Sequence, residues 1–288
     1  MKILVIIITF NSEKWIEKNI SSMFQGSKNL DILVIDNGSH DRTVSIVKKK
    51  FPAVQLIESS ENLGFGKANN IGFKIAREGN YDFVFLVNHD GWLFQDFWEQ
   101  TLPILSSVES QEYGLLSPVH FDSSEVEYDY GFKKYIDGKN LQNASDKIVD
   151  VEYLNGAFLL ISKKCLDTIK GFDPIFYFYG EDIDMCQRVK KHGFKIGIIK
   201  DAKVVHDRKE RKMTTKRLEM HLYANSLLQL KNTGSVFFLS FFKTIISNLI
   251  LAFNKNLIFG YIPKLYIKTA LKLILNYKSI RNSFITFK

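Results

Sequence analysis

Four times in the first 90 residues an apolar, β-branched run breaks at a short polar turn, and in the first three cases a segment of helical period follows. Lys2 to Ile8 ends at Thr9-Phe10-Asn11-Ser12, and Glu13 to Phe24 then reads as a helix with Asn11 or Ser12 as its N-cap. Leu30 to Ile35 ends at Asp36-Asn37-Gly38-Ser39, with Asp41 to Lys50 helical behind it. Val54 to Ser59 is followed by Asn62-Leu63-Gly64-Phe65-Gly66-Lys67-Ala68-Asn69-Asn70, which opens a helix running to about Glu78. This alternation implies an α/β domain with a mostly parallel sheet and crossover helices, its strand-end turns gathered along one rim. The fourth run, Phe83 to Val87, has the length of a strand buried on both faces and passes straight into Asn88-His89-Asp90-Gly91. Ligands in such sheets bind beyond the carboxyl ends of the strands, so Asp90 stands where a metal ligand belongs.

A chain of 288 residues that is 45% hydrophobic can bury a substantial core as one large domain or as a domain with an appendage, which excludes a disordered protein. Cys165 and Cys186 are too few for a disulfide framework, and no charged, apolar and small-residue regions follow one another at the start as in a secretory signal. Two reduced thiols in a cytoplasmic protein is the expectation. The net charge of +8 conceals an asymmetry: residues 1–207 carry 24 basic and 29 acidic side chains, residues 208–288 carry 15 and 2. An acidic head is joined to a basic tail, which points to an anionic partner for the tail.

Taken alone, Gly64-Phe65-Gly66 is no dinucleotide fingerprint, since it follows the third strand and lacks the third glycine; a tight helix entrance explains it equally well. The ordered set is more specific: Thr9-Phe10-Asn11, Asp36-Asn37-Gly38-Ser39, Asn-Leu-Gly-Phe-Gly-x-Ala-x-Asn and Asn-x-Asp after four successive strands. It resembles the inverting family 2 glycosyltransferases of the GT-A fold, in particular their rhamnosyltransferase-like branch, over roughly residues 3 to 210. The expectation is a GT-A catalytic domain at 1–207 and a basic, amphipathic helical extension at 208–288 that associates with membrane or dimerises.

The resemblance implies roles for particular residues. Asp36 accepts a hydrogen bond from the donor's pyrimidine base, unless it only shapes its own Asx-turn. Thr9 and Asn11 match the first nucleotide-contacting turn, and Asn62, Gly66 and Asn69 match the segment beside ribose and diphosphate. Asp90 matches the last acid of an Asp-x-Asp motif that holds Mg²⁺ or Mn²⁺ against the donor phosphates, with Asn88 in place of the first acid and His206 as a further ligand. Losing that first carboxylate makes tight cation binding dependent on nucleotide. Asn155, Gly156 and Ala157, read as a small-residue step within a strand over 153–161, match the place where the sugar or acceptor approaches the backbone; a simple bulge is the other reading.

Glu181-Asp182 opens a segment of helical period, where N-capping alone would account for two acids. The resemblance makes one of them the general base toward the acceptor hydroxyl, with Asp182 the choice and Glu181 orienting the acceptor. Asp184 points elsewhere on the helix, toward a structural ion pair. The implied reaction moves a sugar, L-rhamnose from dTDP-rhamnose foremost, to a glycan or polyprenyl-linked acceptor of a bacterial surface polysaccharide. UDP-linked hexose, galactofuranose or N-acetylhexosamine is the alternative donor, and a non-catalytic nucleotide-sugar-binding scaffold the competing function.

In the tail, Ser235 to Phe253 is the most apolar segment, crossed by a narrow stripe of Ser240, Lys243, Thr244, Ser247 and Asn248. Lys264, Lys268 and Lys272 line one helical face, and Arg208, Lys209, Arg211, Lys212, Lys216 and Arg217 precede them. Peripheral attachment to the anionic inner face of the cell membrane is the preferred reading and packing in a homodimer the alternative. Nucleic acid is not expected as a partner, because the lysines alternate with aliphatic faces.

Overall fold

An unbroken apolar strand has to be covered on both faces, and β1 (Ile3–Thr9) is. In the computed structural model, which describes residues 1–25, 30–136, 141, 146–208, 214–232, 237–253 and 262–287, Leu4, Ile6 and Ile8 enter one core while Ile3, Val5 and Ile7 enter another. That is the two-residue period of a strand carried into packing. After α1 (Ile16–Met23) the chain adds β2 (Leu30–Asp36), α2 (Thr43–Lys50), β3 (Gln55–Glu58), α3 (Phe65–Glu78) and β4 (Phe83–Asn88). β3, β2, β1 and β4 lie side by side in parallel, so Thr9, Asp36, Glu58 and Asn88 end their strands on one rim.

The rest of the sheet is mixed. β5 (Gly91–Leu93), α4 (Phe97–Leu105), β6 (Tyr113–Phe121), α5 (Tyr130–Lys133), β7 (Ile148–Asp150), β8 (Phe158–Ser162), α6 (Lys163–Ile169), α7 (Glu181–Lys191) and β9 (Lys195–His206) follow in order. The strand order is β3-β2-β1-β4-β8-β6-β9-β5, with β7 also on β9. β8 runs antiparallel to β4 and β6, β5 and β7 run antiparallel to β9, and β6 and β9 are parallel.

These elements, apart from the start of α7 up to Asp184, belong to a unit of Met1–Phe172 and Met185–Arg211; a second unit comprises Asp173–Asp184 and Lys212–Lys288. The second contains α8 (Thr215–Asn232), α9 (Phe237–Phe253), α10 (Ile262–Leu275) and α11 (Tyr277–Thr286). Phe176, Ala224, Leu227, Leu230, Phe241, Leu273 and Ile280 form its core. Beside that core Lys231 Nζ lies 2.5 Å from Asp173 Oδ2 and 2.7 Å from Asp184 Oδ1, all three side chains buried, and the Ser283 hydroxyl also donates to Asp173. The ion pair expected for Asp184 is made within this unit.

Two local expectations are corrected. α1 begins at Ile16 with Trp15 in the cap position and no side-chain cap, because Asn11 is left-handed (φ 51°) and the Ser12 carbonyl accepts the Trp15 and Ile16 amides. The strand read over 153–161 starts only at Phe158; Gly156 and Ala157 form a turn ahead of it, and a Cβ at Gly156 would lie 2.9 Å from the Phe65 ring. Of the polar stripe on α9, Ser240, Thr244 and Asn248 are buried while Lys243 is exposed, and Asn248 Nδ2 donates to Ser226 Oγ at 3.0 Å. Phe238, Phe242, Ile246 and Ile250 are exposed as well. Ser235, Lys209, Arg211 and Lys212 lie outside the described residues.

Candidate active site

The first rim loops interlock through side chains. Thr9 Oγ1 donates to Asp36 Oδ1 at 2.7 Å, the Ser39 amide donates to Asp36 Oδ2 at 2.8 Å, and the Ser39 hydroxyl donates to Oδ1 at 2.5 Å. Asn11 joins them, its amide donating to Ser39 Oγ at 2.9 Å and its Oδ1 accepting the His40 amide at 2.9 Å. Thr9, Asn11 and Asp36 are therefore one buried-edge cluster, and the turn claims three of the carboxylate's bonds while leaving Oδ2 room for another donor. Asn37, which the sequence reading passed over, ties this cluster to the next loop: its Nδ2 donates to the Gly64 carbonyl at 3.4 Å. Asn62 Oδ1 accepts the Gly64 amide, Gly64 caps α3, and Asn69 Nδ2 returns to the Phe65 carbonyl at 3.0 Å. Gly66 lies in the first turn of α3, where backbone amides point outward and favour an anion.

The Asn88-His89-Asp90-Gly91 turn is fastened from α1. Buried Asn19 donates through Nδ2 to the Asn88 carbonyl at 2.9 Å and the Gly91 carbonyl at 2.6 Å. A Cβ at Gly91 would sit 2.3 Å from Phe158 and 2.4 Å from the Val205 carbonyl, so only glycine lets β5 close on β9 here. That pairing sets Gly91 opposite His206 and brings the third expected ligand home across 116 residues of chain (206 − 90). His206 Nε2 lies 3.3 Å from Asp90 Oδ1 and 3.4 Å from the Asn88 side-chain amide. The Asn88 backbone N–H donates to the Ala157 carbonyl at 2.8 Å, so the Asn155-Gly156-Ala157 turn, braced by Asn155 Oδ1 on the Ala157 backbone N–H, adjoins the same place. His89 packs edge-on against Trp15.

This donor set suits a hard divalent cation. One carboxylate, one amide oxygen and one imidazole are ligands of the Mg²⁺/Mn²⁺ class. Two ligands at right angles on an ion with about 2.1 Å bonds lie about 3 Å apart, and 3.3 Å between Asp90 and His206 is near that spacing. Among the described residues a second buried group, His120, Asp129 and His206, also brings its ligand atoms within 4.8 Å. Asp129 is already committed there: Arg208 Nε and Nη2 grip its two oxygens at 2.9 and 2.7 Å, and the Phe132 amide adds a third bond. Burial alone would raise the Asp129 pKa, but Arg208 holds it below the ordinary carboxylate value. Burial, with His206 beside it, pushes His120 well below the usual histidine value and keeps it neutral, its Nε2 on Ser117 Oγ at 2.9 Å. Sequence reasoning missed Asn19, His120 and Asp129, and it read Arg208 only as part of the basic run, whereas its guanidinium is paired with Asp129; Asp129 ahead of Tyr130-Gly131 carries a capping signal, and Asn19 and His120 carry none.

In the second unit, Tyr179 (φ 65°) and Gly180 (φ 85°) are both left-handed and turn the chain into α7 at Glu181-Asp182. Tyr179 is held by stacking on His221 with centroids 3.8 Å apart. Glu181 is buried, and burial together with the charge of Asp182 pushes its pKa up to about 8. Asp182 is part-exposed and caps its own helix through the Ile183 amide at 2.8 Å.

The parallel first half of the sheet, the mixed second half and the loops on its rim define a GT-A-like nucleotide-sugar transferase fold with C-terminal helices. The chain aligns to Glycosyl transferase family 2 over residues 4–149, and to the N-terminal domain of galactosyltransferase over residues 142–217. It belongs to glycosyl transferase family 2. Rhamnosyltransferase WbbL of Escherichia coli K12 is 23% identical over 223 residues, spanning 70% of this chain and 82% of the relative. An N-acetylglucosaminyl-diphospho-decaprenol L-rhamnosyltransferase of Mycobacterium tuberculosis H37Rv is 22% identical over 233 residues, spanning 70% and 75%. Mannosyltransferase PcManGT of Pyrobaculum calidifontis, solved with GDP-Man and Mn²⁺, superposes with a TM-score of 0.61 at 17% identity over 96% of this chain and 75% of its own.

Proposed function

We propose that the protein is an inverting, metal-dependent rhamnosyltransferase, moving L-rhamnose from dTDP-rhamnose to a hydroxyl of a lipid-linked glycan at the inner face of the cell membrane during bacterial surface polysaccharide synthesis. The observation that carries this is the convergence of Asp90, Asn88 and His206 beside the rim loops of the nucleotide half, supported by two relatives whose names are L-rhamnosyl or rhamnosyl transferase. Thr9, Asn11, Asp36, Asn62, Gly66 and Asn69 bind the nucleotide, and the amides of the first turn of α3 meet its phosphates. Asn155, Gly156 and Ala157 border the sugar. Asp90, Asn88 and His206 would hold Mg²⁺ or Mn²⁺, which as a Lewis acid neutralises the departing diphosphate.

Asp182 takes the proton of the acceptor hydroxyl while that oxygen bonds to the anomeric carbon and the bond from that carbon to the diphosphate breaks. Attack opposite the leaving group inverts the centre. The raised pKa of Glu181 supports this division: burial and the charge of Asp182 favour its protonated form, which donates a hydrogen bond to the acceptor instead of accepting its proton.

The tail supports attachment to an anionic bilayer. Exposed Phe238, Phe242, Ile246 and Ile250 on α9 and exposed Ile267, Leu271, Ile274 and Leu275 on α10 lie with Lys243, Lys264, Lys268 and Lys272, the pairing of apolar and basic residues that an interfacial helix needs. Among the described residues no helix is long and apolar enough to cross a membrane.

The test is a thermal-unfolding screen of nucleotide sugars with Mg²⁺, followed by transfer to a polyprenyl-linked glycan. dTDP-rhamnose is expected to stabilise selectively, and Asp182→Asn to lower transfer by roughly 10²- to 10⁴-fold with nucleotide affinity nearly unchanged. Selective protection by a UDP-sugar would replace the donor, and normal turnover by Asp182→Asn would remove Asp182 as the base.

A further inference from the structure

The β5–β9 pairing that delivers His206 continues one step further. The Asp207 amide donates to the Asp90 carbonyl at 2.8 Å, and Arg208 follows, close enough for its charge to act on Asp90. The guanidinium is built into place. Asp129, buried at the N-cap of α5, holds it by two hydrogen bonds, and a Cβ at Gly131 would lie 1.5 Å from Arg208 Nη2, so a side chain there would push the guanidinium out of this place.

We infer that Arg208 binds the diphosphate of the donor, presenting to it the guanidinium edge that Asp129 leaves open. This rests on the nucleotide-sugar reading given above. A guanidinium has five N–H donors; Asp129 engages one on Nε and one on Nη2, and both Nη1 hydrogens and the second of Nη2 remain. One hydrogen on Nη1 and the free one on Nη2 form the fork that matches two oxygens of one phosphate. The side chain is 30% exposed, so the open edge is within reach of a ligand while the other is anchored. The need is also chemical. Breaking the bond to the anomeric carbon leaves its electron pair and a full negative charge on the terminal phosphate, and a fixed cationic donor beside it is stronger in that state than before it. Lysine would supply charge without the fork, and a purely structural Arg208–Asp129 pair would stabilise the fold without distinguishing one phosphate from two.

The experiment compares full-length wild type, Arg208→Gln and Arg208→Lys by calorimetric titration with dTDP, UDP and GDP and with the matching monophosphates, all with Mg²⁺. Diphosphate affinity is expected to fall roughly 10- to 100-fold in Arg208→Gln, with monophosphate affinity unchanged and Arg208→Lys between the two. Equal loss for mono- and diphosphates, or no loss in a folded variant, would overturn the role of Arg208. Should Arg208→Gln not fold, Arg208→Lys decides by the same ratio. Failure of the wild type to bind any of the diphosphates would instead defeat the nucleotide-sugar reading itself.

Discussion

Replacing Lys231 by Met removes a cation shared by two carboxylates that are 0% and 1% exposed, Asp173 and Asp184, while keeping the length of the apolar stem. The lysine is itself only 8% exposed, so water cannot take over its place without opening the helices. Breaking a buried pair by deleting one partner costs about 3–5 kcal/mol, because a desolvated charge is left behind, and here two acids lose the same partner. The Ser283 hydroxyl and the Ile175 amide still serve Asp173, which places the expected loss in the lower part of that range, at about 3 kcal/mol. Urea unfolding followed by far-ultraviolet circular dichroism, to which α8 to α11 contribute strongly, reads this as a lower midpoint with an unchanged slope. The companion variant Lys231→Met with Asp173→Asn and Asp184→Asn removes the stranded charges and should recover at least half of the loss, since apolar or neutral replacement of a whole buried network is often tolerated. A single-variant loss below about 1 kcal/mol, or no recovery in the triple variant, would refute the argument that these carboxylates depend on Lys231.

Buried His120 is neutral in the fold, facing His206, Asp129 and Arg208, and its folded pKa lies below the unfolded value of about 6.5. As pH falls through that unfolded value the unfolded chain takes up a proton that the fold refuses. Stability should therefore fall as pH drops below about 6.5, and His120→Gln should flatten this limb; superimposable pH–stability curves would disprove it. At the membrane, the protein should sediment with vesicles containing anionic phosphatidylglycerol and far less with neutral phosphatidylcholine. High salt should release the electrostatic part, and Ile246→Glu with Ile250→Glu should abolish binding in both conditions; full binding by that variant would assign α9 a different partner.

How much of this was legible depends on the range over which each signal acts. β1 to β4 and the turns after them could be read because strand period, β-branching and turn residues are local, and Asp90 could be placed because a strand end is local too. His206 needed the likeness to known transferases, since no local rule says which distant histidine faces Asp90. The stripe on α9 shows the limit of periodicity: Ser240, Thr244 and Asn248 share a face by spacing, but spacing does not say whether that face meets water or Ser226. Asn19 reads as an ordinary polar position in α1 until the two carbonyls it bridges, at Asn88 and Gly91, are brought against it.

Local periodicity and turn chemistry set an α/β head with a polar rim and a basic helical tail, because both follow from neighbouring residues. Tertiary structure alone decided which remote groups meet. The antiparallel closure of β5 on β9 through Gly91 sets His206 on Asp90 and leads Arg208 to Asp129, while helix packing gives Lys231 to Asp173 and Asp184. These are contacts between residues tens to more than a hundred positions apart, and their formation depends on strand register and helix packing, which no single segment of the chain carries.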